Sequence, residues 1–266
     1  MNLFKFFTFK KKQTIGLALG GGAARGIAHL GILLGLEELR VPIKAISGVS
    51  SGCLIGGLYA AGVPISVLIS KLSSLNWRSF TSFHLSKRGM VSSVRIQRLV
   101  ESLVGKVTLN ECQIPFLGVA TNIVNGQSQV FYGSDHLLSK VVRASVSFPG
   151  IYPPVKIDDG FFVDGGVFQN LPVSPLQLLG VTTTIGVDVI PEGPISDIPR
   201  NVPLIVDRSL DLMLIEQRKH MVQPDILIQP VVSPISSFDI KSYDVLIEYG
   251  YQSVMKISSK LKGFIS

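Results

Sequence analysis

Ala45-Ile46-Ser47-Gly48-Val49-Ser50-Ser51-Gly52-Cys53 is the stretch on which the reading of this chain turns. An apolar run from Ile43 to Ile46 leads into it, and a segment of small and apolar residues, Cys53 to Ala61, follows. The pattern predicts a strand, a sharp turn and a helix, with Ser50 at the apex. Glycines two before and two after Ser50 let strand and helix approach closely and leave the hydroxyl open. Gly-x-Ser-x-Gly alone is equally compatible with a plain strand–helix turn in a chain of 26 glycines. Ser50 can act as a nucleophile only if the chain also supplies a base for its proton and donors for an oxyanion.

Upstream, Thr14 to Leu19 reads as a buried first strand. Gly20-Gly21-Gly22-Ala23-Ala24-Arg25-Gly26 follows, and then a helix from Ile27 to Leu39 with Ile27, Leu30, Leu33, Leu34 and Leu36 at helical spacing. One reading of this loop is a phosphate cradle in a nucleotide-binding module. No Lys-Ser/Thr follows Gly26, which excludes a P-loop. The third glycine and the ribose-binding acid of a dinucleotide fingerprint are also missing. The other reading is an oxyanion hole, in which N–H groups of Gly20, Gly21 and Gly22 at a helix N-terminus face a tetrahedral intermediate. Arg25 is then either a cation for a phosphate or carboxylate on the substrate or half of a surface ion pair.

Four histidines compete for the role of base. His29 lies inside the first helix, His84 in an irregular stretch, His136 after Asp135 at a helix start, and His220 late in a helix beside Arg218 and Lys219. None follows a strand end in a loop, where a triad histidine sits. Asp164 is better placed. It ends the apolar run Phe161-Phe162-Val163, and Gly165-Gly166 leaves it open to a neighbouring backbone. A carboxylate takes a serine proton directly if its surroundings raise its proton affinity. Asp158-Asp159, followed by Gly160, reads as a solvated turn.

The 266 residues, 46% hydrophobic and 16% charged, suit a chain with a sizeable core. No apolar run reaches the roughly 18 residues of a membrane span. Cys53 and Cys112 form no CxxC pattern and point to a reducing, cytoplasmic setting or to simple indifference to redox, with Cys53 a small buried side chain. The net charge is +7, and part of it lies in residues 1–13, where Lys5, Lys10, Lys11 and Lys12 interleave with Phe4, Phe6, Phe7 and Phe9. Such a tail suits peripheral contact with an anionic membrane; a frayed end before the first strand is the plainer reading. No basic stripe with spaced aromatics supports nucleic acid as a partner. Further strands are predicted at 116–124, 129–132, 182–189 and 225–229, and a short hairpin at 156–163. Helices are predicted at 51–61, 65–75, 94–104, 137–144, 203–222 and 243–261. Residues 76–95, with Trp77, Phe80, Phe83, His84 and Met90, read as irregular: a lid, a lipid-contacting loop, or a loop packed on the core. The order predicts one three-layer α/β domain over residues 14–266, its central sheet mostly parallel with helices on both faces.

Four stretches together resemble the bacterial patatin-like phospholipases. They are the glycine loop through Arg25-Gly26 and Ala28-His29-Leu30-Gly31; Gly48-Val49-Ser50-Ser51-Gly52; Ala144-Ser145 through Pro149-Gly150 to Pro153-Pro154-Val155; and Asp164-Gly165-Gly166-Val167 with Asn170-Leu171-Pro172. They span roughly residues 14 to 190, and 224–251 resembles the close of the compact members. The resemblance implies a lipid acyl hydrolase of phospholipase A or lysophospholipase type, acting on a phospholipid or other acyl ester with no cofactor and no metal. It implies a dyad of Ser50 as nucleophile and Asp164 as base, with the oxyanion hole on Gly20 to Gly22. Ala23 departs from the family, many members having a further glycine there. The same dyad would serve acyl transfer or thioester hydrolysis, and the fold alone would serve a lipid-binding regulator without turnover. Oligomeric state is not legible.

Overall fold

The computed structural model describes residues 14–73, 82–86, 89–195, 197–233 and 235–263. The basic, aromatic tail lies outside the described residues, as do Trp77, Phe80 and the side chains of Phe83, His84 and Met90. β1 (Ile15–Leu19) runs into the glycine loop, and a 3-10 turn, Ala23–Ile27, opens α1 (Ala28–Glu38). β2 (Ile43–Val49) passes through Ser50 into α2 (Ser51–Ala60). There follow α3 (Ile65–Ser73), β3 (Ser82–Ser86), β4 (Gly89–Ser92), α4 (Val94–Val104), β5 (Phe116–Asn122), β6 (Gln127–Phe131) and α5 (Leu138–Ser145). The chain continues with β7 (Val155–Ile157), β8 (Gly160–Asp164), β9 (Thr183–Val187), α6 (Val202–Lys219), β10 (Ile226–Ile228), α7 (Tyr243–Lys256) and α8 (Ser258–Lys262).

The main sheet has the order β10-β9-β1-β2-β5-β8-β7, with β6 also on β5. β10, β9, β1, β2 and β5 are parallel, and β6, β8 and β7 add antiparallel pairs at one side. Side chains alternate across β1. Ile15, Leu17 and Leu19 join Ile46, Phe116, Leu30, Leu58 and Val141 in the main core, beneath α1, α2 and α5. Ala18, Ala45 and Leu117 face the other way and meet Leu171, Val173 and Leu176 in a smaller core. That second face is covered by an extended segment and the 3-10 helix Ser174–Leu179. Small side chains on this face suit so thin a cover.

α7 lies against α1 with the two backbones in contact. A Cβ on Gly31 would fall 1.8 Å from the Ile247 carbonyl oxygen, and one on Gly250 would fall 2.1 Å from that of Ala28. Only glycine at both points allows the approach. The helix expected over 243–261 is broken at Ile257, where the backbone leaves helical angles (φ −110°, ψ 14°). The stretch 76–95, expected to be irregular, contains the antiparallel pair β3–β4. β3, Ser82-Phe83-His84-Leu85-Ser86, alternates polar and apolar residues over five positions only, and the four residues of β4 do not alternate, so the pair gives a weak signal.

β5 positions the site without contributing a side chain to it. Phe116 to Val119 pair with β2, ending at Val119 opposite Val49. Ala120 to Asn122 pair with β8, beginning at Ala120 opposite Asp164. β6 pairs with 118–122 and so occupies the opposite edge of β5 from both. β2 and β8 therefore share one edge, run in opposite senses, and meet end to end. Ser50 follows the last residue of one, and Asp164 is the last residue of the other.

Candidate active site

Ser50 sits at the tip of β2 with φ 52° and ψ −121°, a left-handed conformation that costs a non-glycine residue on the order of 1–3 kcal/mol. Close packing sustains it. A Cβ on Gly48 would lie 2.6 Å from the Gly52 carbonyl oxygen, and one on Gly52 would lie 2.2 Å from that of Leu19. The Ser50 N–H donates to Ser145 Oγ at 2.9 Å, and Ser145 Oγ donates to the Val119 carbonyl at 2.6 Å. α2 starts immediately after Ser50, so the positive end of its dipole lies at the serine.

Ser50 lies close enough to the carboxylate of Asp164 to act on its proton affinity. Asp164 is buried, and its Oδ1 accepts the Gly166 N–H at 2.8 Å. Burial raises its pKa to about 6, against Ser50 and the Gly166 N–H, which lower it. Desolvation thus outweighs the donors, and the carboxylate is held ready for a proton near neutral pH. The structure therefore brings together the two residues singled out for the dyad.

The glycine loop is adjacent. A Cβ on Gly21 would fall 3.0 Å from Ser50 Cβ. Its donors divide differently from the sequence expectation. Gly20 N–H bonds the Val187 carbonyl at 3.0 Å, extending the β1–β9 ladder, and Gly21 N–H bonds the Asn170 carbonyl at 3.2 Å. Both are therefore engaged. The N–H groups of Gly22 and Ala23 have no partner among the described residues. Ala23 has φ 49°, so the alanine at this departure from the family adopts the left-handed angle.

Arg25 does not face a substrate, nor is it a surface ion pair. It is buried, with Nη1 2.7 Å from Asp211 Oδ1, Nη2 3.3 Å from Asp207 Oδ2, and Nε donating to the Ile235 carbonyl at 2.7 Å. All its charge is met inside the protein, which corrects both sequence readings. Asp207 also accepts from Ser236 Oγ at 2.9 Å and from Ser237 Oγ, while Ala24 N–H donates to the Ser237 carbonyl at 3.0 Å.

No histidine whose side chain is described bonds Ser50 or Asp164. His29 is wholly buried with Nε2 2.8 Å from the Gly20 carbonyl; a carbonyl only accepts, so Nε2 carries the proton. Burial lowers its pKa to about 4 and keeps it neutral. His136 bonds Ser134 Oγ and Asp158 Oδ2, each at 2.8 Å, and His220 lies 3.6 Å from Glu216. Asp158 turns between β7 and β8 with φ 49°, exposed as expected. Cys53 is buried, its thiol pushed up to about 12.

Three residues at the site had no assigned part in the sequence reading. Ser145 holds the Ser50 backbone. Asn170 Nδ2 donates to the Gly21 carbonyl at 3.1 Å while its own N–H donates to Gln217 Oε1 at 2.8 Å. Gln217 Nε2, from α6, donates to the Gly166 carbonyl at 3.1 Å. Ser145 and Asn170 lie in stretches that carry the family resemblance; Gln217 has no sequence signal.

The family model described as Patatin-like phospholipase matches residues 17–176. Lysophospholipase NTE1 of Candida glabrata is 36% identical over 184 residues, which cover 66% of this chain and 10% of that protein. An uncharacterized NTE family protein of Mycobacterium tuberculosis is 33% identical over 193 residues, 71% of this chain and 53% of its own. The chain thus spans about half, or far less, of the length of these relatives. Among solved structures, VipD from Legionella pneumophila superposes with a TM-score of 0.57 at 12% identity, over 94% of this chain and 67% of that one, a likeness of fold. With a match running from β1 past Asp164, this chain belongs to the patatin-like phospholipase family.

Proposed function

We propose that the protein hydrolyses the carboxylic ester of a phospholipid or lysophospholipid, with Ser50 as nucleophile and Asp164 as general base. One observation carries this reading: a half-buried serine in a strained turn lies beside a buried carboxylate whose proton affinity is raised. Ser50 Oγ attacks the ester carbonyl and its proton passes to Asp164. The oxyanion is received by the free N–H groups of Gly22 and Ala23. The C–O bond of the leaving alcohol breaks and the alcohol takes the proton from Asp164. Water then attacks the acyl-serine, gives its proton to Asp164, and the fatty acid departs as Ser50 is reprotonated. Support for lipid as the acyl donor comes from family membership and from relatives named as lysophospholipases. Contact of the tail, residues 1–13, with an anionic surface belongs to the same proposal, and sedimentation with vesicles in its presence and absence measures it.

The test is a panel of diacyl phospholipid, lysophospholipid and short-chain soluble ester. Ser50→Ala and Asp164→Ala should each reduce release of fatty acid by about 10³-fold or more, with circular dichroism unchanged. Near-normal turnover by Asp164→Ala would remove the dyad assignment. Transfer of the acyl group to added alcohol in preference to water would make the protein an acyltransferase.

A further inference from the structure

α6 is built inside out. Its residues Leu204, Asp207, Arg208, Asp211, Leu214, Ile215 and Arg218 share one stripe at helical spacing, and the opposite stripe is Val202, Ile205, Val206, Ser209, Leu212 and Met213, closed by Glu216 near the end of the helix. In a helix packed on a core the apolar stripe is buried. Here the buried residues are Asp207 and Asp211, 6% and 4% exposed, which meet Arg25. Val202 and Met213 are 71% and 67% exposed, and Ile205, Val206 and Leu212 are exposed beside them. The segment before the helix adds Ile198, 77% exposed, and Ile195. A soluble surface of this kind is larger than scattered single side chains and marks a contact.

The last turn of α6 is anchored beside the dyad. Gln217, in the last turn of α6, donates to the Gly166 and Val167 carbonyls. Val167 and Phe168, directly after the glycines that follow Asp164, are exposed too. Through Gln217 the last turn of α6 is thus tied to the exposed apolar residues that follow the base. The chain carries a net charge of +7, which favours an anionic surface. A lipid ester must leave its own apolar phase to reach Ser50, and an apolar surface seated near the dyad shortens its crossing through water. Among the described residues no helix is long and apolar enough to cross a membrane, so the contact is one that lies along a surface.

We propose that α6 is the lipid-docking helix: its outer stripe, with Ile195, Ile198, Val167 and Phe168, seats in the interface of an anionic phospholipid bilayer and delivers acyl chains to Ser50. This rests on the hydrolase reading of the site. The inner stripe ties α6 through Arg25 to the glycine loop, so the seated helix and the loop beside Ser50 are one mechanical unit.

The test uses the full chain carrying Leu212→Glu and Met213→Glu, with mixed phosphatidylcholine–phosphatidylglycerol vesicles at high salt, where charge attraction is screened. The bound fraction should fall about tenfold or more. Hydrolysis of vesicle lipid should fall with it, and hydrolysis of a short soluble ester should stay as in the wild type. Ser209→Leu, which fills the gap in the outer stripe, should raise binding several-fold and covers the case in which the double variant does not fold. Unchanged vesicle binding in both variants overturns the proposal. So does a wild type that elutes as a dimer while the double variant elutes as a monomer, because the occupant is then a second copy. Vesicle binding lost as expected, with no soluble-ester turnover in the wild type, sinks the hydrolase reading and leaves the docking surface standing.

Discussion

Asp164 holds its proton affinity near neutrality through burial alone, and this has two consequences with opposite signs. In the proposed role of base it works only when ionised. Hydrolysis of a soluble ester should therefore rise about tenfold per pH unit up to about pH 6 and then level off. A limb near 4 would mean that the carboxylate is hydrated in the working enzyme. His29, neutral above about 4, does not contribute to this limb. For stability the direction reverses. The folded pKa of about 6 exceeds the unfolded 3.8, so the folded state binds the proton more tightly. The stabilisation this lends is full below the unfolded value and is lost as pH rises through about 6. Asp164→Asn removes that loss while keeping an acceptor for Gly166 N–H. At pH 8 it should be more stable than the wild type by on the order of 2–3 kcal/mol, and near pH 4 no more stable, as read from urea midpoints at both pH values. Ser50 and Asp164 were legible because each ends an apolar run and is flanked by glycine. Which loop N–H groups are free was not. That depends on Val187 and Asn170, whose carbonyls reach Gly20 and Gly21 from far along the chain.

The elements around the site are tied by buried charge. Arg25 in the 3-10 turn after β1 is bracketed by two aspartates of α6 and a carbonyl of the 235–237 segment. Removing one partner of such a group leaves the others desolvated and unmatched. Arg25→Ala should cost about 3–5 kcal/mol in urea unfolding. Arg25→Lys should recover only part, because an ammonium cannot span both carboxylates and the carbonyl as a guanidinium does. If Arg25→Ala were neutral in stability and instead raised KM for an anionic lipid alone, Arg25 would have to be read again as a substrate contact. Local spacing sees an arginine in a glycine loop. It does not see Asp207 and Asp211, which arrive more than 180 residues later. The helix that carries them was legible in position, since 203–222 was expected and 202–219 is found. Its inversion was not, because periodicity locates an apolar stripe without saying which stripe turns inward.

Across the whole molecule, the parallel half of the sheet was legible strand by strand, each strand a short apolar run. The β3–β4 pair and the break at Ile257 were not, because β3 alternates over only five residues, β4 does not alternate, and the apolar spacing of the last helix runs on past its break. Strand order was not legible either, and the arrangement along β5 depends on it. β2 and β8 take their registers from adjoining halves of one edge of a single strand. The exposed turn at Val124 and Asn125, between β5 and β6, divides the chain so that Ser50 and β5 fall in one piece and Asp164 in the other. The protein is thus a natural candidate for a split reporter. Two fragments cut at that turn should each be inert, and fusing them to a pair of interacting proteins should restore the proposed ester cleavage only when β8 finds its half of the β5 edge. A turnover signal from either fragment alone would show that the two reactive groups do not depend on that shared edge.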